Sequence, residues 1–385
     1  DKYLFLTFVK KEIESEMILE RINILNYRNI EECELTFSPK VNLFWGNNGM
    51  GKTNLLDAIY YLSFCKSHLN AKDSHLIRHG SDFFMVQGEY IDSGSVATVS
   101  CAVKNRRKKQ FLYDKKEYER LSEHIGKIPL VLVSPADNSL IDEGSDERRR
   151  FMDIIISQYD REYLQHLMAY NAALRSRNAM LKHPDSIDGT LLEILDDKLC
   201  SEAEPIFARR SEFITDFIPV FRDFYSSISQ RHEEVSLSYS SVLQQADLRQ
   251  RLASSLERDK YLGYTSAGIH KDDLEMIFDG FPLKRNASQG QNKSYLVAMK
   301  LAQFIFLKKN SNKTPILLLD DIFDRLDSER LENIIRQISS DRFGQIFITD
   351  TNREHIDKII ANNNSDFRLF AIEDGRAVST TQNSK

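Results

Sequence analysis

Three features of the sequence predict an α/β fold, a mixed sheet with helices, interrupted by a mostly helical insertion. Near the start, apolar and polar residues alternate in short runs, the period-two pattern of strands. From Asp146 to Leu256 there is one glycine, Gly189, and charged residues interleave with Leu, Ile and Phe at three-to-four spacing, as in amphipathic helices. After Tyr264 strand-like and helix-like runs alternate again. A sheet-rich start, a helical middle and an α/β end describe one α/β unit split by an insertion, with halves at 17–145 and 257–385 around 146–256.

The elements follow in order. Ile18 to Ile24 and Val41 to Phe44 read as two short strands, the second running into a glycine turn. A helix should come next, because Leu55, Leu56, Ile59 and Leu62 share one face at helical spacing. Phe84 to Asp114 reads as a meander in which Val96–Val103 and Gln110–Tyr113 pair across a basic turn, Lys104-Asn105-Arg106-Arg107-Lys108-Lys109. Past the helical middle come a helix (Lys293 to Leu307), a buried strand (Pro315 to Leu319), a helix (Asp327 to Ile338) and a strand (Gln345 to Thr349). The chain has no internal repeat and no low-complexity tract.

Composition narrows the function classes without choosing one. Of 385 residues, 28% are charged and 41% apolar, and 52 basic against 57 acidic side chains leave a net charge of -5. No global positive field draws this chain to nucleic acid or to an anionic membrane, so such contacts must come from local patches. No apolar run approaches the roughly eighteen residues of a membrane span. The opening stretch places its apolar part, Tyr3 to Val9, before Lys10 and Lys11, the reverse of a secretory signal. Cys33, Cys65, Cys101 and Cys200 lie far apart without a CxxC pair, which argues against a disulfide framework or thiolate metal site and for the cytoplasm.

The first chemical motif is Gly46-Asn47-Asn48-Gly49-Met50-Gly51-Lys52-Thr53, which fits G-x-x-x-x-G-K-[ST] between an apolar strand and an amphipathic helix. Glycines let successive backbone N–H groups face a polyphosphate, and the helix N-terminus adds partial positive charge. Lys52 is placed to reach β- and γ-phosphates, and the Thr53 hydroxyl to ligate Mg²⁺; Asn54 continues the same turn. The second motif is Pro315-Ile316-Leu317-Leu318-Leu319-Asp320-Asp321, a buried strand ending in two acids. Asp320 there can hold Mg²⁺, and Asp321 is placed to polarise an attacking water. Alone, such acids are as readily a helix cap; the phosphate cradle gives them a metal to share.

Lys52 and Asp320 lie about 270 positions apart, whereas many P-loop folds keep the two within one compact run of strands. Shortly before Asp320 stands Ala287-Ser288-Gln289-Gly290-Gln291, leading directly into a helix. A Ser-x-Gly-Gln turn at that position is what ATP-binding-cassette (ABC) proteins use to grip a γ-phosphate, so Ser288, Gly290 and Gln291 join the candidate ATP contacts. In such proteins the turn reaches the nucleotide held by a second subunit, which implies an ATP-dependent homodimer. Asp324-Arg325-Leu326-Asp327 follows at the D-loop position. Thr349-Asp350-Thr351 has no switch histidine, leaving Thr349 or Asp350 as the polar candidates.

Taken together these stretches resemble the bacterial RecF family, cassette ATPases of DNA recombinational repair. The likeness begins at Met17, which makes Met17 the expected natural start and 1–16 an extension, and it runs nearly to the C-terminus. It includes Leu25-Asn26-Tyr27-Arg28-Asn29, Ser134-Pro135-Ala136-Asp137, Arg148-Arg149-Arg150-Phe151-Met152-Asp153, Tyr170 to Asn178 and Gly268-Ile269-His270-Lys271-Asp272-Asp273. Ala136, Ile269, Lys271 and Asp324-Arg325 depart from the family pattern, the last pair bearing on cross-subunit contacts. The resemblance implies an ABC-type P-loop ATPase head with the insertion as lobe II. It implies ATP-dependent binding to single-stranded, gapped or junction DNA, and work with RecR, and with RecO in the same pathway. Recombinase loading, replication restart and SOS induction would follow, with weak DNA-dependent ATP hydrolysis as a switch.

Residues 101–130 carry nine basic and four acidic side chains, a local excess of +5, so Lys104, Arg106, Arg107, Lys108 and Lys109 are the candidate DNA contacts; a solvated hairpin tip is the plainer reading. Arg148, Arg149 and Arg150 can bind phosphates or pair with acids in a helix's first turn, and His270 is structural or close to the nucleotide. A transporter's nucleotide-binding subunit fits poorly with the long helical middle. A Rad50- or SMC-like head would need coiled-coil arms much longer than this insertion.

Overall fold

The computed structural model describes residues 15–70, 72–229, 233–324, 326–362 and 366–383. Counting strands of four residues or more, β1 is Ser15–Tyr27, β2 Ile30–Thr36, β3 Val41–Trp45, β4 Phe83–Asp92, β5 Ser95–Lys104, β6 Gln110–Tyr113, β7 Leu130–Val133, β8 Val235–Ser240, β9 Asp273–Phe278, β10 Ile316–Asp320, β11 Ile346–Asp350, β12 Phe367–Glu373 and β13 Arg376–Asn383. The helices of ten residues or more are α1 Lys52–Phe64, α2 Ser145–Tyr159, α3 Arg161–Leu181, α4 Gly189–Ser229, α5 Leu248–Leu262, α6 Gln289–Ser311, α7 Ser328–Ile338 and α8 Arg353–Asn362.

A six-stranded sheet in the order β13-β12-β3-β11-β10-β7 lies at the centre. It is parallel throughout except for the edge strand β13. Such sheets are covered on both faces, and their strands read as unbroken apolar runs. In β10, Ile316 and Leu318 enter one core and Leu317 and Leu319 the other, all four fully buried. The first core also holds α1 and the antiparallel sheet of β1, β2, β4, β5 and β6; the second holds α2, α3, α4 and α6. The ends of β3, β10 and β11 stand side by side, with Asp320 opposite Thr349 and Asp350 opposite Trp45. The loops that follow these strands therefore converge at the carboxyl edge, where open α/β sheets bind ligands.

The expected mixed sheet and helical insertion are both present. The predicted pairing across the basic turn is there, Cys101 opposite Phe111. Several strands went unread, β7, β12 and β13 among them, and β2 and β8 show why. In β2 the burial pattern breaks its alternation at Glu31-Glu32, so period two fails over its first half. β8 lies inside the stretch expected to be helical and pairs antiparallel with β9, Leu237 opposite Met276. α4 runs 41 residues through Pro205 and Pro219, held by the packing of Ile206, Phe213, Phe217 and Phe221 despite two missing backbone donors.

Two histidines, His124 buried and His270 half-buried, tie the layers together. His124 Nε2 lies 2.7 Å from the Leu62 carbonyl and Nδ1 3.1 Å from the Tyr118 hydroxyl, while His270 bridges the Tyr170 hydroxyl at 2.7 Å and the Thr265 carbonyl at 3.0 Å. Burial pushes each imidazole down to about 4. The folded chain thus refuses protons that the unfolded chain accepts. Stability is full above the ordinary value near 6.5 and falls as pH drops toward 4, by about 1.4 kcal/mol per pH unit for each ring. Thermal unfolding followed from pH 7 to pH 5 should show a falling midpoint, and His124→Gln should flatten that fall; a midpoint independent of pH would contradict it.

Candidate nucleotide site

The loop between β3 and α1 requires glycine at defined points. A Cβ on Gly46 would lie 2.4 Å from the Ile372 carbonyl oxygen, and Gly51 sits at φ 110° with Asn29 2.9 Å from where its Cβ would be. α1 starts at Lys52, immediately after Gly51, with no acid in its first turn, so its N-terminal N–H groups face the loop uncompensated by any carboxylate of that turn. Lys52 is buried, and its ammonium donates to the carbonyls of Gly46 at 2.6 Å and Asn47 at 2.9 Å. Asn54 donates to Asn29 Oδ1 at 2.7 Å and accepts from Arg28 at 3.1 Å, pinning the Asn-Tyr-Arg-Asn segment against the loop. Met50 is held from the β12–β13 turn, its carbonyl accepting from Gly375 N at 2.9 Å.

Three carboxylates face this lysine. Asp320 is 5% exposed, and its Oδ1 accepts from the Thr53 hydroxyl at 3.0 Å and the Thr349 hydroxyl at 2.6 Å. Thr349 also accepts from the Asp321 backbone N at 3.1 Å, so it organises both acids. Burial pushes Asp320 above the usual carboxylate range, and the Asp321 charge adds to this. Asp321, at φ 49°, is likewise raised by burial and then by Asp350. Burial lowers Lys52, and the attraction of Asp321, Asp320 and Asp350 pulls it back up. Thr53 and Asp320 present hard oxygen donors side by side, the donor set that suits Mg²⁺.

Of the two polar candidates after β11, Thr349 is committed to the acids. Asp350 turns to His355, whose Nδ1 lies 2.9 Å from Oδ2, while Asn352 N donates to Oδ1 at 2.7 Å. Sequence reading missed His355. Its signal was weak, a histidine in the first turn of α8, five positions beyond Asp350.

Ser288 caps α6. Its Oγ accepts from Gln291 N at 3.3 Å, and Gln291 Oε1 accepts from Ser288 N at 2.7 Å, a reciprocal capping box. The Gln291 amide also donates to Glu233 at 2.9 Å, and a Cβ on Gly290 would stand 3.1 Å from Arg330. Among the described residues, no hydrogen bond joins Ser288, Gly290 or Gln291 to the glycine loop of the same chain. Arg325, expected at the D-loop, lies outside the described residues.

The arginine run settles on ion pairing. Arg148 grips Asp273 with two bonds of 2.7 and 2.9 Å, Arg149 binds Asp146 and the Asp272 carbonyl, and Arg150 faces Glu147. In the basic hairpin, Lys104, Arg106, Arg107 and Lys108 are exposed. Lys109 departs from the surface role expected of it: its ammonium pairs with Asp73 at 2.7 Å and donates to the Tyr61 hydroxyl and the Cys65 carbonyl. His270 contacts the buried Tyr170 hydroxyl and Thr265 carbonyl, and among the described residues it forms no hydrogen bond with the glycine loop.

Among the described residues, no helix is long and apolar enough to cross a membrane. Residues 18–375 match the RecF/RecN/SMC N terminal domain family. The DNA replication and repair protein RecF of Phocaeicola vulgatus is 57% identical over 361 residues, covering 93% of this chain and 97% of that one. RecF of Bacteroides fragilis is 56% identical over 360 residues, again covering 93% and 97%. A structure of the recombination mediator protein RecF with ATP, from the RecFOR pathway, superposes with a TM-score of 0.85 at 29% identity over 95% of this chain and 98% of that one. An Smc head domain from Pyrococcus furiosus, at 16% identity and a TM-score of 0.58, shares the fold, covering 95% and 96%. With the ABC-type head, the split α/β core and these relatives in agreement, the chain belongs to the RecF family.

Proposed function

We propose that this chain is an ATP-switched DNA-binding protein of replication and recombinational repair. The carrying observation is the 3.0 Å bond from Thr53 to Asp320, which joins the glycine loop to the paired acids across 267 positions of sequence. In this reading Gly46 to Asn54 cradle ATP, with Lys52 on the β- and γ-phosphates. Thr53 and Asp320 hold Mg²⁺, and Asp321 polarises the attacking water. Mg²⁺ supplies charge neutralisation for the phosphates when bound. Ser288, Gly290 and Gln291 serve the nucleotide of a second copy, consistent with their lack of a bond to their own loop. Hydrolysis is weak and acts as a switch. The solved relative with ATP supports the nucleotide, and the RecFOR pathway of its description supports RecR and RecO as partners. Binding to single-stranded, gapped or junction DNA, recombinase loading, SOS induction and a cytoplasmic site of action complete the reading, as does the division into halves at 17–145 and 257–385 around lobe II. Calorimetric titration with Mg·ATP tests it: wild type should bind, and no binding would contradict it.

The exposed hairpin cations Lys104, Arg106, Arg107 and Lys108 are proposed DNA contacts, of which Arg106, Arg107 and Lys108 are tested together. Replacing all three by alanine should make the slope of log affinity against log salt shallower by about 0.9 for each phosphate no longer neutralised. An unchanged slope would make them a solvated turn. Lys109 is best left intact in that test, since its removal strands Asp73 and Tyr61.

A further inference from the structure

A second cluster of cations, remote in sequence from the glycine loop, gathers where the helical insertion ends. Arg251, Ser254, Ser255 and Arg258 are spaced i, i+3, i+4, i+7 along α5 and form one stripe. The stripe lines a cleft of about 400 Å³ together with Lys271 and Gly268, and no carboxylate lines it. Gly268 lies at φ 134°, where a Cβ would stand 2.4 Å from the Tyr170 hydroxyl, so it lines the cleft without a side chain.

The neighbouring acids are already spent. Asp259 is fully buried, pairs with Arg177 at 2.9 Å and accepts from the Ser266 backbone N. Asp272 pairs with Arg210 at 3.0 Å. Glu257, next to the stripe, pairs with Lys260 at 2.7 Å. Two other exposed cations of the insertion have partners, Arg249 with Asp197 at 2.5 Å and Arg209 with Asp160 at 3.0 Å. Arg161, Arg175 and Lys182 are exposed without an ion pair among the described residues but line no such cleft. Among the described residues, Arg251, Arg258 and Lys271 form no ion pair; Lys271 rests over the Tyr264 ring at 5.1 Å. Three uncompensated cations around one hydroxyl-lined cleft make a site for anionic oxygen. Seven residues of helix set Arg251 and Arg258 roughly 10 Å apart. Phosphates of one DNA strand follow at about 3.4 Å along the axis, so the pair spans several successive phosphates and exceeds a lone one.

We propose that this cleft binds the phosphodiester backbone of a nucleic-acid strand, at a site distinct from both the nucleotide cradle and the basic hairpin. The inference rests on the DNA-binding reading above and adds a second contact surface to it. Arginines suit the task because their planar forks engage phosphate oxygens in pairs.

The test measures binding of a labelled gapped duplex, with ATP present and over a range of salt. It compares wild type, the glutamine triple variant Arg251→Gln/Arg258→Gln/Lys271→Gln and the charge-keeping Arg251→Lys/Arg258→Lys. The glutamine variant should bind on the order of tenfold more weakly at physiological salt, with a slope shallower by about 2 to 3, while the lysine variant keeps most of the slope. ATP titration should be the same in all three, which reports intact folding. An unchanged affinity and slope in the glutamine variant would overturn the cleft and leave the DNA-binding reading standing. Absence of DNA binding by wild type would overturn both. Calorimetric binding of inorganic phosphate that disappears in the glutamine variant, with the DNA slope unchanged, would make the cleft a small-anion site and overturn the backbone assignment.

Discussion

Lys52→Ala should weaken ATP binding about 100-fold or more, the ~3 kcal/mol that removing a charge-assisted bond to phosphate costs. The substitution acts twice. It removes the cation that the cradle aims at the phosphates, and it leaves Asp320, Asp321 and Asp350 facing one another without their shared counter-charge. Like charges crowded in a buried site raise one another, so a negative ligand would meet an unbalanced negative site. Lys52→Arg keeps the charge but not the compact ammonium seated between the Gly46 and Asn47 carbonyls, and should retain binding while impairing hydrolysis. Calorimetry with Mg·ATP reads both variants. Unchanged affinity in Lys52→Ala would remove the phosphate cradle from the account.

Ser288→Arg should abolish ATP-driven dimerisation while leaving ATP affinity close to wild type. Ser288 makes its capping box with Gln291 and, among the described residues, no hydrogen bond to its own glycine loop, so the cradle of one chain stays complete without it. A bulky cation at the start of α6 would fill the space proposed for the partner's γ-phosphate. Losing the cap costs about 1 kcal/mol, too little to unfold a chain with two extensive cores. The separation of binding from assembly is the signature of a shared site.

The parts of the fold that were legible from sequence are those where one pattern dominates locally. β10 and β11 are buried on both faces, so four consecutive apolar positions in the first and three in the second sufficed. The glycine loop was legible because only glycine fits at Gly46 and Gly51, which fixes residue type as well as spacing. Ser288 was legible as the start of a helix, and the capping box is why. β8 was not, because Val235, Leu237 and Tyr239 supply only three alternating positions, and they stand inside a long run of helical periodicity. Charge counting placed Lys109 beside Arg106 and Arg107, and only the pairing with Asp73 separates an inward lysine from outward arginines. Arg177 and Arg210, fully or nearly fully buried, find Asp259 and Asp272 at 82 and 62 positions' remove, a distance over which residue spacing says nothing. The Asp350–His355 contact joins a strand end to the next helix and matched no expected motif.

The central claim is that two chains share each ATP, with assembly and turnover assigned to different residues. Sedimentation velocity of wild type, Ser288→Arg and Asp321→Asn, each with Mg·ATP, tests it most directly. Wild type should form a dimer that decays as ATP is consumed. Ser288→Arg should stay monomeric at saturating ATP. Asp321→Asn should accumulate a longer-lived dimer, because neutralising the carboxylate slows water attack without disturbing Thr53 and Asp320. A Ser288→Arg protein that dimerises like wild type, or an Asp321→Asn dimer that decays as fast, would contradict the shared site.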